Sequence, residues 1–278
     1  ASAATRPGAP LALDPARAPL PAADAAHPTW GRSRDVAVRL AMPGQVVDFP
    51  LAQTAVPGAF AYGWVRVADG REAVARQPLR GSVVLAPAQP GIYRLLVARR
   101  GAPPAAPDVA DTSLRVIDAV TVAVLTPFAE KVGPLLNGYR LGRWPMERWG
   151  GERPQGFVEV LPQTARLRLT PHLTLGDFVT HDGQTAWPKY VAVNPLLLDK
   201  LELVTAELAK LRGLPDDDTG IAISVHSGFR TPLHNSGVEG SAFNSRHQYG
   251  DALDVAVDAD GDGRFTQFDS RLVALAAE

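Results

Sequence analysis

The chain has no cysteine. Disulfides and thiolate metal sites are therefore excluded, and any bound metal must be held by His, Asp or Glu. The absence suits an exported protein built without staples and suits a cytosolic one equally. Neither sign of charge is in excess, with 28 basic and 29 acidic side chains. No basic tract offers the electrostatic footprint of a nucleic-acid binder. No apolar run reaches the length needed to span a bilayer. What is there is a chain of 278 residues, long enough for two domains that each bury a core.

Residues 1–35 are rich in Ala and Pro and open Ala1-Ser2-Ala3-Ala4 without Met. They follow neither helical nor strand periodicity. The expectation is a flexible leader left after removal of a signal peptide, which puts the protein in the periplasm or outside the cell. An expression boundary explains the same opening. Residues 36–126 carry short strands between Pro/Gly turns: Val36–Leu40, Val46–Phe49, Ala61–Val67, Ser82–Ala86, Ile92–Val97, Leu114–Ile117 and Val122–Leu125. Strands of this length and spacing predict a β-sandwich. The Pro90-Gly91-Ile92-Tyr93-Arg94-Leu95 step resembles the late hairpin of immunoglobulin-like modules. No chemistry is legible there, so a spacer or docking module is expected.

Residues 127–170 read as a connector rich in Gly, Pro and Arg, with a turn at Asn137-Gly138 and a short strand at Gly156–Val160. Trp144 and Trp149 are expected to cover a domain junction; sugar stacking is the other reading. In residues 171–278, Asn194 is a good N-cap and Pro195 a good first residue for a helix that Gly213 and Pro215 end. Leu197, Leu201, Val204, Leu208 and Leu211 predict its buried stripe, with Glu202 off it. The strand Ile221–His226 alternates between an apolar face and a face carrying Ala222, Ser224 and His226. Residues 252–257 repeat the pattern, with Asp254 on the small, polar face. The fold class expected is α+β: an N-terminal immunoglobulin-like β-sandwich followed by an α+β domain whose sheet is backed by the helix.

That polar face is where chemistry is legible. A carboxylate buried among Ala side chains is costly unless it is paired or coordinates a cation. His247 lies seven positions before Asp254, beside Gly250, which can bend the chain toward the same ion. Together they read as two ligands of one metal. Taken singly, Asp254 reads as a salt-bridge partner of Arg230 and His247 as a surface-loop histidine. His226 is either a substitute ligand, or a residue behind the ligands or a satisfied strand histidine. His172, His181 and His234 read as surface or packing residues.

Residues 171–278 resemble the M15 family of zinc D-Ala-D-Ala carboxypeptidases, related in fold to the Hedgehog signalling domain. The matching text is Pro171-His172-Leu173-Thr174-Leu175-Gly176-Asp177-Phe178, the Asn194 helix, Ser227-Gly228-Phe229-Arg230-Thr231-Pro232 with Asn235, and Ser245-x-His247-x-x-Gly250-x-Ala252-x-Asp254. The resemblance implies zinc held by His247 and Asp254, Arg230 stabilising the developing oxyanion, and Ser245 helping to hold a peptide of peptidoglycan. It also implies a third His near the family's C-terminal end, with an acidic base three residues before it. Neither follows Glu278, and Ser270–Ala277 reads as a helix cut off in mid-stride, so the expectation is a segment that stops before that strand.

Asp258-Ala259-Asp260-Gly261-Asp262-Gly263 through Asp269 fits the calcium-loop template at positions 1, 3, 5, 6 and 12. Calcium is expected on Asp258, Asp260, Asp262 and Asp269; an acidic solvated turn is the alternative. Three functions compete: a zinc peptidase trimming peptidoglycan stem peptides, a non-catalytic cell-wall or protein-binding module on the same fold, and a calcium-dependent adhesion protein.

Overall fold

A computed structural model describes residues 38–48, 60–73, 75–80, 83–99, 114–214 and 220–278. The leader expected over 1–35, and Pro215 as the stop after the long helix, lie outside the described residues. The chain divides into two compact units, one holding the described residues up to Thr126 and the other Pro127–Glu278. No helix among the described residues is long and apolar enough to cross a membrane.

The first unit consists of β1 (Val38–Ala41), β2 (Val46–Asp48), β3 (Phe60–Arg66), β4 (Gln77–Pro78), β5 (Val83–Leu85), β6 (Gly91–Arg99) and β7 (Leu114–Val124). Five of these form one sheet in the order β1-β7-β6-β3-β4, and β2 pairs with β5. Residues of both sheets, among them Trp64, Tyr93 and Leu95 from one and Val47 and Val84 from the other, share a core. The indole of Trp64 is satisfied by donating to the Leu85 carbonyl at 2.8 Å. The two runs expected near residues 114 and 122 are one strand. The register against β6 shifts between Arg94 and Leu95, which face Thr121 and Ile117, and this irregularity splits the pattern in the sequence.

In the second unit, after the boundary strand β8 (Thr126–Pro127), β9 (Leu135–Leu136) and β10 (Tyr139–Arg140) form a hairpin. Its Asn137-Gly138 turn has φ of 48° and 86°, the left-handed pair that a tight hairpin requires. The strands β11 (Gly156–Val160) and β12 (Lys189–Val191) are antiparallel, and α1 (Pro195–Leu211) follows. Residues 127–170, expected as a connector, lie within this unit and supply its buried Leu136, Leu141, Trp144 and Phe157. The reason is their aromatic content, which is packed rather than spread over a surface: the Phe157 ring lies tilted against Trp144 with centroids 5.5 Å apart.

Helix α1 starts as its cap predicts, with Asn194 Oδ1 accepting from the Leu196 amide at 3.0 Å. Its buried stripe is not the expected one. Leu198, Asp199, Glu202, Thr205, Leu208 and Ala209 are buried, while Leu197, Leu201 and Val204 are half-buried and Leu211 is exposed. Glu202 turns inward because His172 meets it at 2.8 Å. The remaining elements are β13 (Ala222–Ser227), α2 (Pro232–Asn235), β14 (Asp254–Asp258) and α3 (Gln267–Ala276). The apolar faces of β13 and β14 pack on α1 and α3, with Leu208, Ile221 and Val257 at the centre and Val255 and Leu272 at the margin. Their other face is left to the polar residues.

Candidate metal centre

The strands β13 and β14 run antiparallel with Val225 opposite Val255. The register then shifts, and Ser227 rather than His226 stands opposite Asp254. A bulge of this kind re-aims the side chains that follow it. It brings a hydroxyl, instead of a fifth alternating residue, to the carboxylate.

The segment beyond β13 is tightly held. A Cβ on Gly228 would lie 2.5 Å from the Asp177 carbonyl oxygen, so the chain passes there only as glycine. Phe229 is buried. The Thr180 hydroxyl donates to the Phe229 carbonyl at 3.0 Å and accepts from the Thr231 amide at 3.1 Å. Arg230, between them, donates its amide to the His247 carbonyl at 3.1 Å. Its Nε donates to Ser227 Oγ at 2.7 Å, and its Nη2 meets Asp254 Oδ2. The guanidinium is thus fixed on two arms.

His247 sits on the short 3-10 turn Arg246–Tyr249 and is buried. The turn ends at Gly250, whose φ of 71° supplies the bend expected of it. A Cβ there would lie 2.2 Å from the Ala192 carbonyl oxygen. His247 Nδ1 lies 2.7 Å from the Gly228 carbonyl oxygen. A carbonyl only accepts, so Nδ1 carries a proton, and in the neutral ring the lone pair is on Nε2. Metal-binding histidines are oriented in this way. Nε2 faces Asp254 Oδ1 at 3.3 Å. Two donors on a tetrahedral zinc, each about 2.0–2.2 Å from the ion, stand about 3.3–3.5 Å apart. The pair has the spacing and the tautomer that a divalent ion needs.

The premise that burial forces Asp254 onto a cation is corrected. Its side chain is 52 % exposed, because it projects from the open face of a two-stranded ladder. One oxygen of Asp254 meets Arg230, the salt-bridge partner weighed for it in the sequence, and the other faces His247. His226 is exposed at the bulge. Among the described residues, no third His, Asp or Glu brings a ligand atom to the His247–Asp254 pair. Ser245 opens the His247 turn without a side-chain capping bond. His181 is exposed, His234 is half-buried on α2, and His172 is spent on Glu202.

Sequence reasoning missed three supports. Ser227 gained its place through a bulge that has no local signature. Trp144, read as a junction cover, is buried behind the His247 turn and donates its indole N–H to the Gln248 carbonyl at 2.9 Å. Glu152 accepts from both terminal nitrogens of Arg246, at 2.8 and 2.9 Å.

In the acidic loop, Asp258, Asp260 and Asp262 converge, with ligand oxygens within 4.8 Å of one another. Asp269 is not one of them, which corrects its place at position 12. Its Oδ2 accepts from the amide and hydroxyl of Thr266, and its Oδ1 from the amides of Ala259 and Asp260. The Thr266 hydroxyl first, with the backbone amides behind it, draws its carboxyl down to about 2. It closes a capping box on α3.

Residues 185–272 match the family described as Peptidase M15. No curated protein and no solved structure matches the chain. The match supports an M15 family peptidase in the C-terminal part, and peptidases of that family are in general zinc-dependent and act on peptides.

Proposed function

We propose, from the M15 character of the C-terminal part, that the chain is a peptidase of the cell wall, with zinc on His247 and Asp254 and the stem peptides of peptidoglycan as substrate. The observation that carries the reading is the 3.3 Å approach of His247 Nε2 to Asp254 Oδ1, with Nδ1 occupied by the Gly228 carbonyl. Zinc bound there supplies Lewis acidity toward a peptide carbonyl and lowers the pKa of a water to about 7. His247 holds its donor in one tautomer and one orientation. Asp254 offers Oδ1 to the ion while Arg230 keeps Oδ2 in place. The third arm of Arg230, Nη1, is left to meet the oxygen of the scissile carbonyl as negative charge develops on it. Loss of one such donor commonly costs about 2.7–4 kcal/mol. Ser245, beside the turn, helps hold the peptide.

The Asp258, Asp260 and Asp262 cluster is proposed to take calcium, bracing the corner between β14 and α3. The first unit, with two sheets on one core, is proposed to be an immunoglobulin-like sandwich that docks or spaces the peptidase. A periplasmic or secreted location goes with this substrate. The test is turnover of a D-Ala-terminated muropeptide by the full-length protein, its loss to a chelator and its return with zinc. Turnover that survives zinc removal sinks the reading. The second reading, a non-catalytic cell-wall module, is favoured by the lack of a third donor at the pair among the described residues. Zinc binding without turnover on any muropeptide would select it.

A further inference from the structure

The loop from Arg143 to Arg153 is built with more care than a surface connection needs. Met146, at φ 57°, and Gly150, at φ 72°, are both left-handed, and Gly151 packs so closely that a Cβ there would lie 2.6 Å from the Met146 Cβ. For Met146 that conformation is costly and needs support from its surroundings. The support is visible. Trp149 and Gly151 donate their amides to the Met146 carbonyl at 2.9 and 3.1 Å. Glu147 is tied to buried Lys131 at 2.8 Å and accepts from the Trp144 amide at 2.8 Å. Glu152 is tied to Arg246, whose hydrogen bonds hold its carboxyl below the usual range. Trp144 anchors the loop to Gln248. Two of these ties end on residues that flank His247.

The outer surface of this loop is unlike its base. Trp149 is 76 % exposed, and Arg143, Arg148 and Arg153 of the same loop are exposed too. Both carboxylates of the loop are consumed by Lys131 and Arg246. No ion pair is formed by the three arginines among the described residues, and Arg153 only stacks over the Phe128 ring at 5.2 Å. The result is an exposed indole on a fixed stretch of backbone, in a loop whose guanidiniums form no ion pair among the described residues and which is tied to the His247 turn. An indole face is apolar and suits the face of a sugar ring, and guanidinium forks suit carboxylates.

We propose that this loop is a docking face for the glycan polymer that carries the stem peptides, with Trp149 on a sugar ring and Arg143 and Arg148 on free carboxylates of the attached peptides. It rests on the peptidase reading for the identity of the polymer. The experiment is co-sedimentation of the full-length protein with purified insoluble peptidoglycan, for the parent, Trp149→Ala and Arg143→Ala/Arg148→Ala, with thermal midpoint and zinc content as checks on folding. Both variants should bind about tenfold more weakly at unchanged midpoint, and parent binding should weaken as salt rises. Parental binding by both variants, or no sedimentation of the parent, overturns the proposal. Turnover of a sugar-free stem peptide by the parent is measured alongside. Its absence, with loop-dependent sedimentation intact, would sink the peptidase reading and leave the docking face standing.

Discussion

Ser227→Ala isolates one arm of the site. In the parent, Ser227 Oγ accepts from Arg230 Nε at 2.7 Å, and Nη2 of the same guanidinium meets Asp254. Deleting a hydrogen bond to a charged group costs about 1.5–3 kcal/mol. Arg230 keeps its second anchor on Asp254, and its side chain is 16 % exposed, so solvent softens the loss. The lower end applies, about 1.5 kcal/mol, or roughly a tenfold fall in kcat/KM. The fall should appear in kcat rather than KM, because the misplaced group acts on charge that develops during reaction. Zinc content should not change, since neither ligand is touched. Ser227→Thr should restore most of the rate by returning the hydroxyl. In a double-mutant cycle the effect should vanish when Arg230 is already Ala, because Ser227 acts through it. The assay is steady-state turnover of a D-Ala-terminated peptide, with metal content measured on the same samples. A full additive loss in the double mutant would refute the reasoning, as would an unchanged rate in Ser227→Ala beside a large loss in Arg230→Ala.

Three other perturbations follow from the same geometry. Gly250→Ala places a Cβ 2.2 Å from the Ala192 carbonyl oxygen at φ 71°, and should lower the thermal midpoint by roughly 5 °C or more, read by calorimetry. Asp269 titrates at about 2 when folded against 3.8 as a free side chain. Its contribution is therefore present above about pH 4 and lost as pH falls toward 2, and Asp269→Asn should flatten that acid limb in urea titrations of helicity. Glu202→Ala leaves the buried His172 ring without its partner and should destabilise the unit by about 1–3 kcal/mol in denaturant unfolding.

Much of the site was legible because it is written in local chemistry. The Asn194 cap, Pro195 and the left-handed Gly213 bound α1 as their backbone preferences require. Alternation along residues 221–226 and 252–257 located the polar face, and the turn at Gly250 carried His247 to it. What escaped depends on partners far along the chain. Glu202 was placed off the buried stripe because its partner His172 is thirty residues away. The bulge at His226 exists only in the pairing with β14. The segment 127–170 looked like a connector because its turns are visible and the rings that bury Trp144 and Phe157 are not. Asp269 shows a different failure. One residue satisfied two templates, position 12 of a calcium loop and the third residue of a capping box begun by Thr266, and the backbone amides took it.

The account stands on two side chains sharing one ion. Diffraction from crystals of the full-length protein grown with zinc, recorded on both sides of the zinc absorption edge, tests it most directly. The prediction is an anomalous peak about 2.0–2.2 Å from both His247 Nε2 and Asp254 Oδ1. A zinc peak elsewhere in the second unit, with this pair unoccupied, would contradict it.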